Sequence, residues 1–80
     1  MGYWRQEVKS GAQAGPVATR HLSSEAQSEA NRARGDNRPF RAVWMPKGMS
    51  DGFITVRVST WMQHVDPALR EFYGDEGGYA

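Results

Sequence analysis

Eighty residues with a formal net charge of +1 and no cysteine leave room for one small core, and exclude both a disulfide framework and a thiolate zinc site. Hydrophobic residues make up 39% of the chain, yet no run approaches the roughly 18 apolar residues of a membrane span. The opening Met1-Gly2-Tyr3-Trp4-Arg5 also lacks the basic-then-apolar order of a secretory signal. One cytoplasmic domain over residues 1–80 is expected, without cofactor or metal.

The small net charge conceals an uneven distribution. Residues 31–47 carry Arg32, Arg34, Arg38, Arg41 and Lys47 against Asp36 alone, whereas residues 61–80 carry Asp66, Glu71, Asp75 and Glu76 against Arg70 alone. A basic middle and an acidic end point to charge-guided association. The alternative is a pair of solvated faces with no partner.

In chain order, residues 3–9 alternate, with Trp4 and Val8 on one side and Arg5, Glu7 and Lys9 on the other. That pattern predicts a half-buried strand with the charges outward. Residues 11–16 are turn-rich, and 17–22 are expected to return as a second, weakly alternating strand. Ser24 followed by Gln27 forms a capping box, and Ala26, Ala30 and Ala33 recur at helical spacing before Gly35. These predict a helix from Ser24 to Arg34 that lays an alanine stripe on a sheet. Phe40 to Met45 reads as a strand with Phe40, Ala42 and Trp44 on one face. Phe53 to Ser59 reads as its hairpin partner, with Ile54, Val56 and Val58 inward. Asp66 and Pro67 mark the start of a short helix that Gly74 stops, and 75–80 read as a frayed tail. The expected fold is α+β: a four-stranded antiparallel sheet in ββαββ order, one helix across a face and a short C-terminal helix.

No catalytic constellation emerges from spacing. His21 and His64 lack ligands at metal spacing, and no nucleophile elbow or phosphate-cradling glycine loop is present, so no enzymatic activity is expected. Nucleic-acid binding has a basis in Arg5, Arg41, Arg57 and Arg20, which the strand pattern places on the open sheet face. Arg32, Arg34 and Arg38 surround the helix end, with Tyr3, Met45 and Phe53 near enough to contact bases. Glu7 on that face weighs against it, as cross-strand Arg–Glu pairs would merely stabilise a sheet. Protein binding has the broader basis. Three Trp, three Tyr and three Phe exceed what one thin core hides, and interfaces favour aromatic residues and Arg. Trp44, Trp61 and Phe72 are expected to fill space beside the alanine helix. Tyr3, Tyr73 and Tyr79 remain as surface anchors, with Asp66, Glu71, Asp75 and Glu76 as the acidic contact.

The small cysteine-free layout, with a helix opening at Ser23-Ser24-Glu25, resembles phage and prophage anti-CRISPR proteins that block type I, Cascade-type surveillance complexes. The resemblance spans the whole chain in size and element order, carries no diagnostic motif and transfers no functional residue. It implies a non-enzymatic inhibitor that occupies a protein or ribonucleoprotein complex and prevents target-DNA binding. Some members of that group are strongly acidic DNA mimics, which a net charge of +1 does not match. Steric or allosteric blocking is the corresponding expectation. The alternative partner is RNA or DNA itself, held on an arginine-lined sheet face.

Overall fold

The structure, a computed structural model, describes residues 2–10 and 16–74. Strand β1 (Arg5–Ser10) leads to helix α1 (Val17–Ala30), strands β2 (Phe40–Met45) and β3 (Phe53–Thr55), and then a helical arm. The arm consists of an α-turn, α2 (Val58–Thr60), a π-helical turn (Trp61–Val65) and helix α3 (Asp66–Tyr73). The class is α+β, as expected, but the topology differs. Three strands lie in the order β1-β2-β3, with β1 parallel to β2 and β2 antiparallel to β3. The order is β-α-β-β and the sheet is mixed. A parallel pair needs a crossover connection, and α1 supplies it.

The missing strand is residues 17–22, which form the first half of α1. Pro16 sits at the N-cap with extended backbone (φ −62°, ψ 149°), and its carbonyl accepts the first helical bond from the Arg20 amide at 3.1 Å. Proline fits a helix entrance because its absent N–H has no intrahelical partner there. Ser24 is therefore a buried mid-helix residue and not a cap. The helix also ends earlier than expected, at Ala30 with Asn31 as C-cap, so Arg32, Arg34 and Gly35 lie beyond it. The alanine stripe is corrected too. α1 buries His21, Ser24 and Ser28, while Ala26 and Ala30 face solvent.

The expected alternation in β2 is present, and Phe40, Ala42 and Trp44 form the core. Register places Arg5, Glu7 and Lys9 beside these three residues, so the charged side of β1 faces α1. Trp4 and Val8 lie on the open side, the reverse of the expected orientation. In β3, Thr55 pairs with core residue Ala42, whereas Ile54 pairs with Val43 on the other face. The strand stops at Thr55, and Ile54 and Val58 are exposed. Of the three rings expected to fill space, only Trp44 is buried; Trp61 is 36% exposed and Phe72 79%.

Polar contacts tie α1 down. The Trp44 indole donates to Thr55 Oγ1 at 3.0 Å, and His21 Nδ1 lies 2.8 Å from the same oxygen. The His21 ring meets Phe40 edge-on at 5.5 Å. Arg57, beyond β3, grips Glu25 with contacts of 2.7–3.0 Å from Nε and Nη2. Those hydrogen bonds hold the Glu25 carboxyl below its ordinary value of 4.5.

Two predictions follow from these contacts. A carboxyl depressed in the folded state adds stability above its unfolded-chain value and loses it as pH falls through the folded value. Glu25→Gln should therefore lower the thermal midpoint at neutral pH, with the difference from wild type shrinking as pH falls below the ordinary carboxyl value of 4.5. A pH series of melting curves reads this, and parallel curves would reject the pairing. Separately, a Cβ on Gly52 would collide with the Trp44 carbonyl oxygen and Met45 Sδ. Gly52→Ala should cost about 1–3 kcal/mol in urea unfolding.

Candidate nucleic-acid interface

The chemistry of β1 follows from its register. Residues two apart on a strand project to the same side, about 6.5–7 Å from one another along the chain. Arg5, Glu7 and Lys9 thus form a cation–carboxylate–cation row beneath α1. The two cations are fixed by the helix. Arg5 donates from Nη1 to Ser28 Oγ at 3.1 Å and from Nε to the Arg38 carbonyl at 3.0 Å. It also lies 3.4 Å from Glu29 Oε2. Lys9 Nζ donates to Gln27 Oε1 at 2.6 Å. Glu7, half-buried between them, makes no hydrogen bond or ion pair among the described residues.

A groove of about 380 Å³ opens at this edge, lined in part by Trp4, Arg5, Glu7, Arg32, Asp36 and Arg38. A second groove, about 310 Å³, is lined in part by Lys9, Arg20 and Gln27. The loop after α1 shapes the first. Arg38 holds Asp36 through Nε (3.0 Å) and Nη2 (2.8 Å), and its backbone amide adds a third bond at 3.1 Å. These side-chain bonds first, and the amide second, bring the Asp36 carboxyl down to about 2. Arg38 Nη1 also reaches the Gly2 carbonyl at 3.2 Å. Arg32 pairs with Glu29 at 3.0 Å and donates to the Asp36 carbonyl at 3.2 Å. Along these two grooves the cations Arg5, Lys9, Arg20, Arg32 and Arg38 outnumber the acids Glu7, Asp36 and Glu29, five to three. A surplus of cations beside a groove is the electrostatic footprint of a polyanion site.

The arginine-lined open sheet face does not form. Arg5 turns under α1, Arg20 lies over the Trp44 ring at 5.3 Å, and Arg57 is engaged by Glu25. Arg41 alone of the four projects from the open face, where Nε donates to Gln6 Oε1 at 2.9 Å and the guanidinium covers Trp4 at 5.2 Å. Tyr3 and Tyr73 are exposed, and they stand at opposite ends of the chain's described course. Tyr73 stacks edge-on with Phe72 at 4.7 Å. Asp66 is buried and pairs with Arg70 at 3.0 Å, so it is not a surface acid, whereas Glu71 is exposed. Asp75, Glu76 and Tyr79 lie outside the described residues.

Sequence reasoning missed Glu7, Lys9 and Gln27, because the strand was oriented with its charges toward water. The available signal was the mismatch between a charged strand face and an alanine stripe. His21 is buried and His64 exposed; among the described residues no group of three or more His, Cys, Asp or Glu side chains converges to cage a metal. No helix among them is long and apolar enough to cross a membrane. No protein-family model, curated protein or solved structure matches the chain.

The Arg5 side chain is only 13% exposed, and its loss would leave Ser28 and the Arg38 carbonyl without their partner. Arg5→Ala should destabilise the fold by about 1–3 kcal/mol, measured by chemical denaturation. Arg32→Ala, at an exposed position, should unfold with an unchanged midpoint.

Proposed function

We propose that this chain binds the phosphodiester backbone of nucleic acid along the β1 edge and hydrolyses it with a divalent cation. The observation that carries the reading is Glu7: an unpartnered carboxylate between two cations that α1 holds in place. Magnesium is commonly bound by one or two carboxylates, with water and substrate phosphate oxygens completing its shell. Glu7 supplies such a carboxylate, and no all-protein cage is needed. Lys9, oriented by Gln27, places an ammonium on the same side for the charge that develops on the phosphoryl oxygens. A divalent cation held by Glu7 would make a bound water more acidic and so supply the nucleophile for attack on phosphorus. The P–O bond to the leaving sugar oxygen would break, and that oxygen would take up a proton from solvent. The arginines of the groove hold the flanking phosphates. This departs from the expectation of a chain without catalytic activity, and it moves the nucleic acid from the open sheet face to the β1 edge.

The test separates binding from cleavage. Binding to labelled oligonucleotides should weaken steeply with salt, since each neutralised phosphate releases counterions. Magnesium or manganese should produce strand scission, with Glu7→Gln and Lys9→Ala cutting the rate by about a hundredfold or more while binding persists. Binding without scission in either metal would remove the hydrolytic half. The absence of any shift at low salt would remove the whole reading.

A second reading, the protein-binding inhibitor of a type I surveillance complex, draws on the exposed rings of the helical arm. Phe72 and Tyr73, with Val58 and Met62, leave an apolar surface turned to water, the kind of residue that anchors interfaces. Phe72→Ala should abolish capture by a purified complex. Target-DNA binding unaffected by excess protein would dismiss this alternative.

A further inference from the structure

Next to the arginine groove lies a cleft of different character. It measures about 480 Å³ and is lined by Tyr3, Trp4, Pro39, His64, Val65, Ala68 and Leu69. Its walls are the N-terminal segment on one side and the helical arm on the other. The volume suits a group of small-molecule size, and a mostly apolar lining with a few polar edges is usual for such sites. Trp4 lines both this cleft and the arginine groove. Its indole is backed by the Arg41 guanidinium at 5.2 Å, which Gln6 fixes through a 2.9 Å hydrogen bond. Tyr3 stands at the rim, 88% exposed.

We propose that the cleft accepts one unpaired nucleobase of the strand whose phosphates lie in the arginine groove. The proposal rests on the nucleic-acid reading above and adds the form of the substrate. A backbone held by Arg32 and Arg38 passes Trp4, and a base turned around that ring enters an apolar slot with an aromatic face on offer. Base–aromatic stacking of this kind tolerates any base, because every base has a π-face. In a duplex the bases are paired inward and the slot stays empty. A single strand, a flap or a junction presents a free base at little cost. The charge of the neighbouring groove and the chemistry of the slot select the same ligand.

The experiment compares three labelled DNAs of one length at one salt concentration: a single strand, its duplex, and a single strand with abasic sites at successive positions. The single strand should bind about ten- to a hundredfold tighter than the duplex. An abasic site at the position that fills the slot should remove that advantage. Trp4→Ala and Tyr3→Ala should reduce single-strand affinity by a similar factor and leave the salt slope unchanged, while Arg32→Ala and Arg38→Ala should weaken all three DNAs and flatten the slope. Ala68→Leu, an exposed change that fills the slot, guards against misfolding of the Trp4 variant and should act alike. Equal affinity for all three DNAs, with salt-dependent binding intact, overturns the slot and leaves the nucleic-acid reading standing. No binding to any of them at low salt overturns both.

Discussion

Everything in this fold depends on a helix that rests on its sheet through hydrogen bonds more than through apolar contact. Among the described residues the core is Phe40, Ala42 and Trp44, too little to hold a long helix by hydrophobic burial alone. The deficit is met by a row of polar ties: Lys9 with Gln27, Arg5 with Ser28, Trp44 and His21 through Thr55, and Arg57 with Glu25. Thr55 links two of these. Its oxygen accepts the indole N–H and lies 2.8 Å from His21 Nδ1, while His21 Nε2 faces Glu25 Oε2 at 3.6 Å. One hydroxyl thus joins the centre of the sheet to the helix and, through Glu25, to Arg57 at the end of β3.

The same choice leaves the second face of the sheet bare. Parallel strands are ordinarily covered on both sides, yet Val8 and Ile54 remain more than half exposed on the side away from α1. Polar character has been drawn inward to serve the helix, and apolar side chains have been left outside. The functional consequence is that a row of charges which would otherwise point to water is held rigid beneath a helix. Arg5 and Lys9 have their side chains fixed by partners on α1, so the carboxylate between them is presented in a defined setting. Side chains locked by neighbouring hydrogen bonds hold a reactive geometry better than free surface groups.

How much of this was legible in the sequence can be judged residue by residue. The β2 strand was, because Phe40, Ala42 and Trp44 alternate cleanly and the register preserves them. The helix was legible over 24–30 and lost over 17–22, where a β-branched start and a preceding proline imitate a strand. The buried face of α1 was not legible. Ala26 and Ala30 occupy one phase of the helix, and His21, Ser24 and Ser28 another, so hydrophobicity alone selects the alanines. What decides the phase is the partner surface: a strand that offers Arg5, Glu7 and Lys9 needs serine, glutamine and glutamate opposite it. The same logic reversed β3, where the Trp44 indole required an acceptor and Thr55 supplied it in place of Ile54. The candidate site was hidden for this reason alone, since its residues were read as the wet side of their strand.

The helical arm shows how a backbone irregularity can position a site. Pro67 has no N–H to give to a preceding turn, and the turn just before it is widened to π geometry, with the Asp66 amide reaching the Trp61 carbonyl five residues back. Accommodating one extra residue rotates the helix beyond it by about 100°. In the register that results, Val65, Ala68 and Leu69 form the wall opposite Trp4, and Phe72 and Tyr73 are left to solvent. Asp66, buried and paired with Arg70, fixes the junction from inside. Single π turns within α-helices recur at functional positions. Here the irregularity sets which side of the arm completes the cleft beside the arginine groove, and so it couples Pro67 to the wall that faces Trp4.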